Sequence, residues 1–294
     1  MLQIDAEAKQ LAEQFLAEKS GKLDQKHTSV EPNLLVSLPC YGGSIQHKTV
    51  GTLLDLSGYL SREKIAHRIL FVANESLIPK ARNHFASVAT FTKDSQGKPY
   101  SHLLFLDADI SFDARYVLRM LELRLPIVAL PYARKTINWE RVSAASQFFP
   151  PDKLEFFAGN PALGVNSKLE ISDRPVVVRR APTGAMMVST DVFKAFVTSH
   201  PERRYRTTGT YFPHLEYHYD FFRSEICGDE YLSEDFGFCE NAARLGFSTY
   251  ILPQAVTRHT GLHEYVLDMG AVAALSAPFE PLSAARPAEE KQND

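Results

Sequence analysis

The sequence predicts an α/β fold with a Rossmann-like central sheet flanked by helices. Three observations point there. Apolar runs of strand length alternate with helix-length stretches over residues 33–131, and 294 residues suffice for one enlarged domain with terminal additions. The predicted strand ends also carry polar or turn residues, at Pro39, at Asn74 to Ser76 and at Asp107 to Asp109, which is where open sheets of this kind take ligands.

Residues 1–20 are rich in Ala, Leu, Glu and Lys, with Leu2, Leu11, Phe15 and Leu16 partly at helical spacing, so a surface helix is expected within an extension covering 1–30. Residues 33–39 read as a first buried strand. Tyr41, Gly42 and Gly43 then form either a loop whose glycines let a ligand approach the backbone or a plain turn. A helix over 51–60, a strand over 67–73 and a helix over 79–90 with Pro79 in its first turn continue the alternation. A strand over 103–106, a helix over 114–123 and a strand over 127–131 complete it, and the pattern predicts a parallel, nucleotide-handling half over 31–137.

The second half, 138–265, is less regular. Residues 138–172 read as a loop-rich insertion, 175–180 as a strand, and 182–185 as a turn ahead of a helix over about 190–197. Ser233 is placed to cap a helix running to Arg244 or Leu245, with Gly246 ending it and a strand over 247–252 beyond. Residues 266–294 form a C-terminal extension, and from Pro278 onward its Pro, Ala, Glu and Lys predict a disordered tail. No internal repeat is present.

Hydrophobic residues make up 45%, charged residues 23%, and the formal charge is -3, which is an ordinary globular balance and argues against a strongly basic nucleic-acid binder. Cys40, Cys227 and Cys239 are scattered and odd in number, fitting neither a disulfide framework nor a zinc site. The acidic opening does not read as a secretory signal and no run spans a bilayer, so a soluble, cytoplasmic protein without a transmembrane segment is expected.

Asp107 and Asp109 stand at the end of an apolar run. On a strand, residues two apart share a side, so the pair either faces one pocket as oxygen ligands for Mg²⁺ or Mn²⁺, or closes the strand as a solvated turn. Glu234 and Asp235 fall on the first turn of a predicted helix, where acids either complement the dipole by a few tenths to about 1 kcal/mol or supply a general base. His259, ahead of Gly261, is a further possible metal ligand, with His263 competing; zinc fits this loop poorly. Arg82 and Asn83 lie near a helix start that favours anions such as a diphosphate, unless Lys80 and Arg82 simply project into solvent.

In this order, the chain resembles the nucleotide-sugar-dependent glycosyltransferases of the GT-A fold, in particular the inverting, family-2-like type. The resemblance covers about residues 33 to 265. It rests on the strand ending at Pro39 and Tyr41, on Ala81 to Asn83, on Leu106 to Asp109, on Ser233 to Phe236 with Phe238, Cys239 and Gly246, and on His259 before Gly261. The stretch from Leu130 to Trp139 is similar to a segment of virus- and phage-associated members.

The resemblance implies roles. Asp107 would contact the donor's ribose or metal-bound phosphates, Asp109 would ligate Mn²⁺ or Mg²⁺, and His259 would be an additional ligand. Asp235 would be the catalytic base, with Glu234 orienting the acceptor. Pro39 and Tyr41 would border the base, Arg82 and Asn83 would help bind the nucleotide, and Gly184 and Ala185 would line the donor sugar. A glycan or a modified-DNA acceptor carrying hydroxymethylated pyrimidines is expected in the acceptor half, 138–265. The DNA alternative draws on arginines and aromatics between His200 and Arg223. Two other classes compete. A sugar-nucleotide pyrophosphorylase needs a basic glycine-rich loop that residues 38–44 lack, and a noncatalytic sugar-binding module has no use for Asp109, Asp235 and His259 together.

Overall fold

The computed structural model describes residues 31–163, 171, 173–206, 215–261 and 263–274. The helix expected near the N-terminus and the tail expected from Pro278 lie outside the described residues. The first half runs β1 (Asn33–Cys40), α1 (His47–Arg62), β2 (Ala66–Ala73), α2 (Ile78–Phe91), β3 (His102–Leu106), β4 (Ile110–Phe112), α3 (Arg115–Leu123) and β5 (Ile127–Ala129). The second half opens with β6 (Ala133–Ile137), α4 (Trp139–Ala145), β7 (Gly159–Pro161), β8 (Val176–Val178), β9 (Ala185–Ser189) and α5 (Thr190–Ser199). Two short hairpins follow, β10 (Arg204–Arg206) with β11 (Tyr217–Tyr219) and β12 (Glu225–Cys227) with β13 (Glu230–Leu232). Then come α6 (Glu234–Arg244), β14 (Thr249–Ile251), β15 (Val256–Thr260), β16 (Glu264–Asp268) and α7 (Met269–Ala274).

Seven strands form one mixed sheet in the order β2-β1-β3-β9-β5-β14-β8. β2, β1 and β3 are parallel; β9 enters antiparallel between β3 and β5, pairing Leu106 with Ala185 and Ala129 with Met186. The wholly parallel first half predicted from the alternation is therefore corrected. β5 does not lie beside β3, because a strand from the second half separates them. The result is a mixed α/β architecture with a large central sheet flanked by helices, compatible with a Rossmann-like fold.

Side-chain alternation explains why the strands read as unbroken apolar runs. Leu35, Leu103, Phe105, Ile127, Met186 and Val188 join one core with Phe85 of α2, Phe193 and Phe196 of α5, and Phe238 of α6. Leu34, Val36, Leu38, Leu104, Leu106, Val128 and Met187 join the other with Leu53, Leu56 and Leu60 of α1 and Val117 of α3. Burying each such side chain contributes roughly 1.5–3 kcal/mol. Phe221 and Phe222, expected among the aromatics of a stacking surface, are instead 1% and 0% exposed, inside the first core.

A smaller sheet, β16-β15-β4, carries the chain past residue 265, so the expected C-terminal extension begins as a paired strand. Among the described residues no helix is long and apolar enough to cross a membrane.

α2 is joined to the β10–β11 hairpin by two buried imidazoles, His84 Nδ1 lying 2.6 Å from His218 Nε2. Burial holds His84 down to about 3, with the neighbouring ring adding, and holds His218 down to about 4. Both rings are therefore neutral in the fold and titrate near 6.5 when unfolded. Their contribution to stability is complete above about pH 6.5 and is lost as pH falls toward the folded values. We expect the urea midpoint to fall more steeply from pH 6.5 to 4 in the native protein than in the double variant His84→Leu, His218→Leu; equal slopes would refute the assignment.

Candidate active site

β3 stops at Leu106, and the N–H of Ile110 donates to the carbonyl of Asp107 at 3.1 Å, so Asp107, Ala108 and Asp109 form a turn into β4. The expected strand alternation is not what pairs the two carboxylates. Each is instead fixed from the second half of the chain. The N–H of Asp107 donates to Gly184 O at 2.9 Å, and Asp109 O accepts from Thr260 N at 2.8 Å. The loop after β1 lies alongside, since Gln46 N donates to Ala108 O at 2.9 Å.

Arg82 does not project into solvent. On α2 it is 5% exposed, and its guanidinium is ion-paired with Glu234 Oε1 and, at 3.6 Å, with Asp107 Oδ1. Burial works against its charge, but Asp107 and Glu234 outweigh that and hold its pKa above the ordinary value. Burial likewise pushes Asp107 up, opposed by Arg82 and reinforced by Asp109. Glu234 is pushed up by burial too, again opposed by Arg82 and reinforced by Asp235. Asp235 is held differently, on the first turn of α6. Its Oδ1 accepts from Ser233 Oγ and, at 2.9 Å, from Phe236 N, so the capping serine serves the carboxylate rather than a helical N–H.

His259 lies within β15 and faces the acidic turn. Its Nδ1 is 2.8 Å from Ala133 O, and because a carbonyl only accepts, Nδ1 carries the proton. In the neutral ring the lone pair is therefore on Nε2, which stands 3.4 Å from Asp109 Oδ2. Two lone pairs facing each other need a proton or a cation between them. The same Oδ2 meets Lys135 Nζ at 2.5 Å. Burial raises the Asp109 pKa, but the contacts from His259 and Lys135 outweigh it and hold the carboxyl below the ordinary range.

Arg82, Asp107, Asp109, Gly184, Glu234, Asp235 and His259 thus meet beyond the carboxyl end of β3. Pro39 and Tyr41 stand at the end of the neighbouring β1, Pro39 half-buried and Tyr41 73% exposed. Asn83 turns away: its Nδ2 donates to Asp220 Oδ1 at 2.8 Å and its Oδ1 accepts from Phe222 N at 2.7 Å, which anchors the 220–222 segment. Ala185 is fully buried in β9. Tyr132 and Lys135 belong to the cluster but were not singled out in the sequence. Their signal was the stretch from Leu130 to Trp139, noted there as a segment and not by residue. Tyr132 Oη accepts from Gly184 N at 3.2 Å, and burial, then Asp107, push its phenol up.

Among the described residues no three His, Cys, Asp or Glu side chains already enclose a metal position. Asp109 and His259 form a pair, with Asp107 beside it held by Arg82. Cis ligands of an octahedral cation at about 2.1 Å stand about 3 Å apart, so the 3.4 Å pair fits a divalent ion with a small adjustment once Lys135 moves off Asp109. No protein-family model matches the chain, and no curated protein matches its sequence. Geometry alone therefore carries the functional reading.

At Gly184 an added Cβ would stand 2.7 Å from Tyr132 Oη and 2.8 Å from Asp107 Oδ2. Gly184→Ala should destabilise the fold by about 1–3 kcal/mol through overpacking. Chemical denaturation checks this, and unchanged stability would show that the Tyr132–Asp107 wall yields freely.

Proposed function

We propose that the protein is a metal-dependent glycosyltransferase of GT-A type that moves a sugar from a nucleotide-sugar donor to an acceptor hydroxyl with inversion. The observation that carries this reading is the His259–Asp109 pair. A ring whose Nδ1 is committed to Ala133 sets its Nε2 3.4 Å from a carboxylate, so that a cation taking the place of a proton between them would find both as ligands, the arrangement of a metal-ligating histidine and its neighbour ligand. Four carboxylates, Asp107, Asp109, Glu234 and Asp235, share this space with two cationic side chains, Arg82 and Lys135, leaving an excess of negative charge that a divalent ion balances. Mn²⁺ or Mg²⁺ held by Asp109 and His259, with Asp107 beside them, would neutralise charge on a departing nucleoside diphosphate.

The chain's own groups divide the remaining work. Asp235 takes the acceptor's proton. Ser233 and Phe236 fix its Oδ1, and among the described residues no hydrogen bond reaches its Oδ2. Glu234, expected to orient the acceptor, is committed to Arg82 and positions that guanidinium. Pro39 and Tyr41 border the nucleotide base at the end of β1, and Gly184 lets Asp107 and Tyr132 close against its backbone, which fixes Asp107 in place. A pyrophosphorylase fits less well because residues 38–44 bring no cationic side chain.

The test is a panel of nucleotide sugars with Mn²⁺, read by mass spectrometry against glycan and modified-DNA acceptors; a panel with no turnover overturns the reading. Asp235→Asn should retain donor binding and lose roughly 10²–10⁴ of the transfer rate, the span of a general base. Asp109→Ala should lose Mn²⁺-dependent donor binding, and the opposite pattern would exchange the two roles. Lys135 and the cation compete for Asp109 Oδ2, so Lys135→Met should bind Mn²⁺ more tightly without nucleotide, as read by electron paramagnetic resonance of the free ion. Weaker binding would make Lys135 a supporting residue.

A further inference from the structure

One residue along α2 from Arg82, Asn83 lines a separate cleft of 620 Å³ together with Lys80, Arg203, Arg204, Tyr205 and Arg223. The volume is that of a small-ligand site. Glu202 and Asp220 also line it, but each has a partner of its own: Glu202 Oε1 is 3.3 Å from His200 Nδ1, and Asp220 Oδ1 accepts from Asn83. Lys80 is paired with Glu75 at 2.7 Å. Arg203 also feels the charge of Glu202, though not as a close ion pair. Among the described residues none of Arg203, Arg204 and Arg223 has an ion-pair partner. The Arg204 guanidinium lies 4.4 Å over the Tyr217 ring, and among the described residues Arg203 Nη1, shielded from solvent, has no acceptor.

A shielded guanidinium N–H without an acceptor, beside two further arginines, is complementary to an oxyanion. A phosphate group suits it best, having several oxygens to meet several forked donors. The lining residues bear on which substrate would bring it. The donor's phosphates belong with Asp109 and His259, whereas this cleft is walled by β10 and by Asp220 and Arg223, on the stretch that leads through the β12–β13 hairpin to Ser233 and Asp235. We propose that the cleft binds a phosphate group carried by the acceptor. The word acceptor rests on the transferase reading; the phosphate site does not.

The test uses the full chain with Mn²⁺, titrated calorimetrically with ribose 5-phosphate, ribose, uridine diphosphate and a single-stranded oligonucleotide of about 12 nucleotides. Ribose 5-phosphate, the oligonucleotide or both should bind and ribose should not, and the two phosphate probes distinguish a free sugar phosphate from a polynucleotide. The double variant Arg203→Gln, Arg223→Gln should weaken that binding roughly tenfold or more, with Mn²⁺ affinity unchanged. Arg203→Lys alone should weaken it less, which guards against a double variant that fails to fold. No phosphate binding, or equal affinity in the variants, overturns the site. Competition by uridine diphosphate would hand the cleft to the donor and overturn the acceptor assignment. Arginine-dependent phosphate binding in a protein inert toward every donor would do the same while leaving the site itself standing.

Discussion

The guanidinium of Arg82 ties together the polar ends of three parts of the chain that already share one apolar core. It rises from α2, reaches the turn after β3 through Asp107, and holds the first turn of α6 through Glu234, 152 residues further along. A buried pair of this kind contributes little net stability, since desolvating the charges offsets most of their attraction. Removing one partner is another matter. Without Arg82, Asp107 and Glu234 would be two carboxylates in poor contact with water and within reach of each other's charge, a loss on the order of 3–5 kcal/mol. Lysine would keep the charge but not the fork, so it could not sit against Glu234 and Asp107 at once.

This arrangement explains why the neighbouring acids shift in opposite directions. Asp107 and Glu234 are pushed up because burial and like charge together outweigh their shares of one cation. Asp109 is pushed down because direct contacts from His259 and Lys135 outweigh its burial. The first two carry a cost of folding at neutral pH, one that falls as pH drops through their raised values; the third is stabilised by ionising. Charge repulsion held in place by surrounding packing is a feature shared by sites that bind an ion or polarise a substrate.

Much of the first half was legible in the sequence because its signals are local. Pro79 marks the start of α2, and the runs in β1, β2 and β3 are apolar enough to be read as buried strands. β9 was not legible. Ala185 to Ser189 has one β-branched residue, Val188, follows a Pro-Thr-Gly turn and abuts a helix, so nothing within it announces a central strand; its partners in β3 and β5 make it one. The hairpins β10–β11 and β12–β13, of three residues per strand, escaped notice for the same reason. In the site, the acids and His259 were visible by type and position. What stayed hidden was who holds whom: Arg82 turned inward, Asn83 was spent on Asp220 and Phe222, and Tyr132 and Lys135 entered from a stretch flagged only as a segment.

The two acids opening α6 show how position alone separates roles for similar chemistry. Glu234 and Asp235 are adjacent, sit at the same helix end and feel the same dipole. Consecutive helical side chains diverge by about 100°, which sends Glu234 toward Arg82 and Asp235 toward Ser233. Burial holds Glu234 above the ordinary carboxylate range, but Arg82 occupies its Oε1, so it is placed to position that guanidinium. Among the described residues Asp235 has no ion-pair partner: a hydroxyl and one N–H steady a single oxygen, and no hydrogen bond reaches the other. The division also accounts for Ser233 giving up its usual capping bond. Orienting Asp235 uses the hydroxyl that would otherwise have satisfied a helical N–H, and the site takes precedence over the helix end.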